Sequence, residues 1–320
     1  MLDVFFTVDV EIWCNGWNDI DAEFPDCFRQ YIYGPTSGGN YGLPYTLGTL
    51  DEYGLRGVFF VEPLFATRFG IEPLAEIVGL IRDRRQEIQL HLHTEWVDES
   101  RVPLLQDVDR KRQFLRYFSR DEQAALVAAG KRLLADAGAN NISAFRAGSF
   151  GFNRDTLHAL VQNQITIDSS YNASMMGLDS GVLPGIVITD LAACDGVYEY
   201  PLTVFNDWSG RLRHAQLTAC SYREMEGLLW QALETGQRSF VILSHSFELL
   251  NRGRTRPDHV VIQRYRKLCS FLDRNRDAFR VRGFGASPDD VPAAQPAPLV
   301  SPMWKAAGRM VEQAYRRRYG

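Results

Sequence analysis

Short runs of β-branched and aromatic residues recur along the chain. They lie at Val4 to Val10, Gly57 to Val61, Ile88 to His93, Ser143 to Arg146, Ile165 to Ser169, Tyr198 to Val204, Phe240 to His245 and Phe279 to Phe284. Longer segments with helical patterns alternate with them, as in βα units built around a parallel sheet. Three helix starts can be read directly. Ser119 with Glu122 and Ser221 with Glu224 have capping-box spacing, and Asn153 precedes a helix carrying Leu157, Leu160 and Val161. Seven or eight strands with helices between them predict an α/β fold, a distorted (β/α) barrel. No GxGxxG follows the first strand, which argues against an open nucleotide-binding sheet. The predicted barrel spans 1–285, a Pro/Ala-rich linker spans 286–303, and a C-terminal amphipathic helix spans 304–320. Two stretches break the regular order and are read as loops at strand ends: an aromatic, Gly-rich one from Trp13 to Tyr41 and a mixed-charge one from Asp98 to Arg120.

Composition narrows the function classes. With 45% hydrophobic residues and 12% aromatics the chain has ample material for a core, and its net charge of −4 provides no basic field for nucleic acid. The five cysteines, Cys14, Cys27, Cys194, Cys220 and Cys269, are scattered and form no CxxC pair, as expected of free thiols in a reducing compartment. The first strand starts within three residues of Met1, with no cationic and apolar leader before it, so a cytoplasmic location is expected.

Chemistry-bearing residues gather at predicted strand ends. Asp9 and Glu11 share one face of the first strand, and His91 and His93 share one face of the third, with Glu95 just beyond. Paired acids or a lone histidine are commonly structural. Two histidines at i, i+2 on a core strand make half of a divalent metal site plausible. Arg146, Asp168 and His245 end three further strands, and in a parallel barrel all such ends converge on one mouth. Individually, Arg146 and Asp168 could be an ion pair at the rim and His245 a capped core histidine.

Taken in order, the segments TVDVE, HLHTE, RAGSF, IDSSY and ILSH resemble the five motifs of the polysaccharide deacetylase family, the NodB-homology domain of the carbohydrate esterases, over roughly residues 2–285. The resemblance implies a distorted (β/α) barrel that removes acetyl groups from N- or O-acetylated sugars with a bound divalent metal, zinc being the first expectation. On that analogy Asp9 is the catalytic base, Glu11, His91 and His93 hold the metal, Arg146 orients Asp9, and His245, tuned by Asp168, protonates the leaving amine. The chain departs from the family pattern in two places: the acid pair is D-x-E, and Glu95 stands where a second histidine is usual, so Glu95 is the alternative to His93 as ligand. Trp13, Trp17, Trp96 and Tyr171 flank the motifs and could stack on sugar rings or fill the core.

The partner implied is an acetylated sugar or glycan intermediate of polysaccharide biosynthesis. Two other readings remain open: a sugar-binding barrel that has lost its metal, and a metal-dependent hydrolase of a small amide. The C-terminal helix carries Lys305, Arg309, Arg316, Arg317 and Arg318 against Glu312, beside Trp304 and Tyr315. Peripheral contact with anionic lipid is one reading of it, and packing against the barrel or another subunit is the other.

Overall fold

The computed structural model describes residues 1–106, 108, 110–176, 182, 183, 185–285, 288 and 291–319, of which 176, 315 and 317–319 are described by their backbone and not by their side chains. In chain order the strands are β1 (Leu2–Val10), β2 (Pro35–Thr36), β3 (Gly39–Asn40), β4 (Gly57–Val61), β5 (Glu87–Leu92), β6 (Ala144–Ala147), β7 (Ile167–Asp168), β8 (Ala192–Cys194), β9 (Val197–Glu199), β10 (Val204–Asn206), β11 (Leu212–His214), β12 (Ser239–His245), β13 (Phe279–Val281) and β14 (Leu299–Val300). The helices are α1 (Ile20–Phe28), α2 (Leu43–Glu52), α3 (Ala66–Phe69), α4 (Glu72–Asp83), α5 (Arg120–Asp136), α6 (Arg154–Gln162), α7 (Ala173–Met176), α8 (Tyr222–Glu234), α9 (His259–Arg274) and α10 (Met303–Tyr319). Contacts divide the chain into two compact units. The first is Met1–Gly57, Thr203–Arg282 and Pro296–Gly320, and the second is Val58–Leu202 and Gly283–Gln295.

In the first unit β1 runs parallel to β12 from Asp3↔Ser239 to Asp9↔His245, and its start also pairs with β13. Leu2, Val4, Phe5, Phe6, Val8 and Val10 are all buried, so both faces of this strand lie in the core. The hydroxyl of Thr7 donates to the carbonyl of Ile242 at 2.7 Å, which satisfies a polar group inside that core. Outside the strand, α9 buries Val261, Ile262, Tyr265, Leu268, Cys269 and Leu272, and the Tyr265 hydroxyl reaches the Thr46 carbonyl of α2 at 2.8 Å. A small three-stranded sheet, ordered β11-β10-β14, leads into α10.

In the second unit β4, β5, β6, β7 and β9 follow one another in parallel, and β8 returns antiparallel on β9. Helix α4 presents Leu74, Ile77, Val78 and Ile81 to the core at helical spacing. Helix α5 comes close enough to β5 that a Cβ on Gly130 would stand 2.8 Å from Leu92 Cδ2 and 2.9 Å from Leu90 Cδ1, so a larger residue there would displace those leucine side chains.

Most of the predicted elements are present. The capping boxes at Ser119/Glu122 and Ser221/Glu224 form, and Asn153 forms a third with Thr156. The run Tyr198 to Val204 is divided between β9 and β10, because Tyr200 and Leu202 bond back to the carbonyls of Asp168 and Tyr171 at 2.8 and 2.9 Å. The segment Trp13 to Tyr41, expected as loop, is helical over about half its length: α1 is followed by a π-turn over Arg29–Tyr33, with Ile20, Phe24, Cys27, Phe28 and Ile32 buried. Apolar residues at helical spacing outweighed the glycines and Pro25 there. Asp107 and Asp109 of the mixed-charge stretch, and residues 286, 287, 289 and 290 of the expected linker, lie outside the described residues.

Candidate functional site

The first unit contributes the ends of two neighbouring strands. Because β1 and β12 are parallel and in register, Asp9 and His245 are direct partners across the ladder, and the Ser246 N–H donates to the Asp9 carbonyl at 3.1 Å. Asp9 and Glu11 are both buried, and Glu11 Oε1 accepts from the Trp13 indole N–H at 2.9 Å. Just past the strand end the chain turns, bringing the Glu248 N–H to the His245 carbonyl at 3.1 Å. That turn places Glu248 Oε1 2.7 Å from His245 Nδ1. Gln216 Nε2 also donates to Glu248 Oε1, at 2.5 Å, and Gln216 Oε1 lies 3.1 Å from His214 Nε2. Burial alone would lower the His245 imidazole. The hydrogen bond and charge of Glu248, with Glu11 and Asp9 adding to them, outweigh that effect and raise it to about 9.

The second unit contributes the end of β5 and what surrounds it. His91 lies on the strand and His93 just past it, with their rings edge to face, centroids 4.8 Å apart. His91 Nδ1 is 2.8 Å from the Arg146 carbonyl, and His93 Nδ1 is 3.3 Å from Glu95 Oε2. A carbonyl oxygen only accepts, so His91 donates from Nδ1, and the Glu95 carboxyl engages His93 through the same ring nitrogen. A metal-ligating histidine has this arrangement. Glu11, His91 and His93 are buried and carry donor types suited to a divalent ion.

Gly148 of the third motif packs directly on this region. A Cβ there would stand 2.6 Å from the Leu92 carbonyl and 2.7 Å from His93 Nδ1. Ser149 and Phe150, which follow, adopt φ of 50° and 56°, so two side-chain-bearing residues sit in the left-handed region beside the histidines. From the other side, Glu62 at the end of β4 is wholly buried and accepts from the N–H groups of Leu64 and Phe65 at 2.7 and 3.4 Å. Burial raises its carboxyl to about 8, so it is largely protonated at neutral pH. The mixed-charge stretch folds back here, with Lys111 donating to the Glu95 carbonyl at 2.8 Å and Thr94 donating to the Arg112 carbonyl at 2.7 Å.

Arg146 and Asp168 lie deeper, both fully buried. Arg146 stacks 4.3 Å over the Phe60 ring and donates to the carbonyl and hydroxyl oxygens of Ser169, each at 3.0 Å. Asp168 accepts from the Ser170 hydroxyl at 2.5 Å and stands opposite Glu199 in the β7–β9 register. Burial raises both carboxyls, Asp168 to about 6, and mutual repulsion raises Glu199 further. One carboxylate, one carboxylic acid and the guanidinium together leave this cluster near neutrality.

Sequence reasoning located the strand-end residues but missed several neighbours. It named Asp168 as the partner of His245 and did not single out Glu248, whose carboxylate is hydrogen-bonded to His245 and which the sequence shows only as an acid three residues downstream. Glu62 and Glu199 had no signal beyond being acids within or at the end of apolar runs. Trp96 and Tyr171 are core residues, while Trp13 and Trp17 are half-buried and meet edge to face at 6.2 Å.

Compared with protein-family models the chain matches none, and no curated protein is similar to it in sequence. Solved structures are similar in fold. A protein from Mycobacterium smegmatis that carries the provisional name of polysaccharide deacetylase superposes with a TM-score of 0.57 at 18% identity, over 88% of this chain and 87% of the other. A family 4 carbohydrate esterase from Streptomyces lividans, solved with acetate, gives 0.46 at 10% identity, over 92% and 97%. A pseudoenzyme of that esterase family from Bacillus anthracis gives 0.40 at 12%, over 85% and 60%. The first of these likenesses establishes the fold class, a mixed α/β fold of the distorted (β/α) barrel type.

Proposed function

We propose that this protein is a metal-dependent deacetylase of an acetylated sugar, with Glu11, His91 and His93 holding one divalent ion. The observation that carries the reading is the pair of buried imidazoles, each with Nδ1 engaged by an oxygen acceptor. Two nitrogens and one carboxylate oxygen fit zinc, which is the ion proposed. On this reading His93 is the ligand and Glu95 orients it, a role supported by the 3.3 Å between His93 Nδ1 and Glu95 Oε2.

A bound divalent ion supplies Lewis acidity, polarising a carbonyl and making water easier to deprotonate. The protein's own groups do the rest. Asp9, a carboxylate at the end of β1, takes a proton from water. His245, adjacent to it on β12 and held as imidazolium by Glu248, keeps a proton at Nε2 for the departing sugar nitrogen. Arg146 and Asp168, on the paired strands β6 and β7, brace that part of the sheet so that the Arg146 carbonyl stays on His91. Trp13 beside Glu11 offers a half-buried aromatic face to a sugar ring. The five cysteines are free, in support of a cytoplasmic, biosynthetic substrate.

The test is metal content after purification without added metal, followed by acetate release from nucleotide-linked, lipid-linked and polymeric N-acetyl sugars. Wild type retains about one equivalent of ion and turns over at least one substrate class. His91→Ala and His93→Ala lose the ion, and Glu95→Gln keeps it with about 10- to 100-fold weaker affinity. A wild-type protein that binds no divalent ion under added zinc would overturn the reading.

A further inference from the structure

Helix α10 is amphipathic with its charged side turned inward. Ala306 is buried, and the neighbouring turns are tied to the first unit by ion pairs: Arg309 to Glu224 at 3.3 Å, Glu312 to Arg264 at 2.6 Å and Arg316 to Asp258 at 2.6 Å. Arg309 and Arg316, two of the five cations on which the lipid reading of this helix drew, are therefore used in docking it, in line with the packing reading. The side chains of Tyr315, Arg317 and Arg318 lie outside the described residues.

The opposite face is apolar and open. Met303 is 66% exposed, Trp304 63%, Met310 50% and Val311 72%. These positions fall on one side of a helix, with exposed Ala307 and Ala314 between and beyond them. The patch does not stop at the helix. β14 leads directly into α10 with Val300 exposed, and β10, paired with β14 at Asn206↔Val300, runs on into a turn tipped by exposed Trp208.

We propose that this face, α10 with the Trp208 turn, lies on the surface of a bilayer bearing anionic headgroups. The chemistry matches an interfacial surface, an apolar stripe with indoles and an exposed cation at its margin. Lys305 packs its ammonium against Gly227 of α8, while exposed Arg211 closes the turn that carries Trp208. Acids offer little opposition. Glu312 is the sole acid of α10 and is paired with Arg264, and Asp207 Oδ1 accepts from Ser209 and Arg211 within its own turn. At 17 residues α10 is too short and too polar to cross a membrane, and no helix among the described residues is long and apolar enough to do so. A second copy of the chain fits less well. The α10 face itself, about 25 Å long and 10 Å wide, offers roughly 250 Å², to which Val300 and the Trp208 turn add, against the ~800 Å² per partner of a stable interface. A bilayer needs no matching shape.

The inference rests on this surface alone and stands or falls separately from the proposed chemistry. Its test is co-sedimentation of the full chain with vesicles of phosphatidylcholine containing about 30% phosphatidylglycerol, with pure phosphatidylcholine in parallel and light scattering for oligomeric state. Wild type binds the anionic vesicles and brominated lipid quenches its tryptophan emission. The quadruple variant Met303→Ser, Trp304→Ser, Met310→Ser, Val311→Ser binds about tenfold or more weakly with an unchanged melting temperature. Should that variant unfold, Trp304→Ala and Arg211→Glu apart each weaken binding on an intact fold. Absence of wild-type binding, binding unaffected by these changes, or a dimer that they dissociate would each overturn the proposal.

Discussion

Replacing Glu248 with glutamine preserves the shape at His245 and removes the charge. In wild type Glu248 Oε1 is 2.7 Å from Nδ1, and the imidazole is raised to about 9 against the effect of its own burial. Without the carboxylate the burial effect has less to oppose it, and the group returns to its ordinary ~6.5 or below. That drop of about 2.5 units is about 3 kcal/mol less stabilisation of the imidazolium. At pH 7.5 the protonated fraction falls from about 97% to about 9%, so a step needing the imidazolium slows about tenfold. At pH 5.5 it is above about 90% in both proteins and the rates nearly agree. The raised value also affects stability: the pair's contribution is full below about 6.5 and is lost as the pH rises through about 9, a dependence Glu248→Gln lacks. The assay is a pH titration of the His245 ring by NMR in chelator-treated protein, alongside kcat against pH for the metal-loaded enzyme. A ring midpoint that moves by less than about half a unit would refute the reasoning. Activity lost equally at every pH would reduce Glu248 to a structural group.

Gly148→Ala forces a methyl within 2.7 Å of His93 Nδ1; it is expected to cost about 1 to 3 kcal/mol in stability and to weaken zinc binding by calorimetry, since relief requires moving the ring. Glu62→Gln has the opposite sense. The folded-state value of Glu62, about 8, lies above its ordinary one, so wild type loses stability as the pH rises from about 4.5 through about 8, and the neutral isostere should melt higher than wild type at pH 8.5 by differential scanning calorimetry. Ser119→Ala removes one half of the α5 capping box and should lower stability by about 1 kcal/mol in urea titration while leaving turnover unchanged.

The order of strands and helices was legible in the sequence because both carry local periodicity. Apolar runs such as Gly57 to Val61, and polar caps such as Ser119 with Glu122, depend only on residues a few positions apart. The strand-end chemistry was legible for a similar reason. Parallel strands put their C-terminal ends on one side, so Asp9 and His245 were identified from their places in two runs, and the register then made them neighbours. Partnerships were not legible. That Glu248 meets His245 depended on the turn after β12, which brings its carboxylate to the ring. Glu62 appeared in the sequence as one acid among many; only its complete burial raises its carboxyl to about 8. For α10 the sequence determined an amphipathic helix, because periodicity sorts its residues onto two faces. Which face looks outward was decided in three dimensions, where Glu224, Asp258 and Arg264 stood ready to pair with its charges. Ion pairs between segments so far apart in the chain depend on how those segments pack, and no local pattern carries that information.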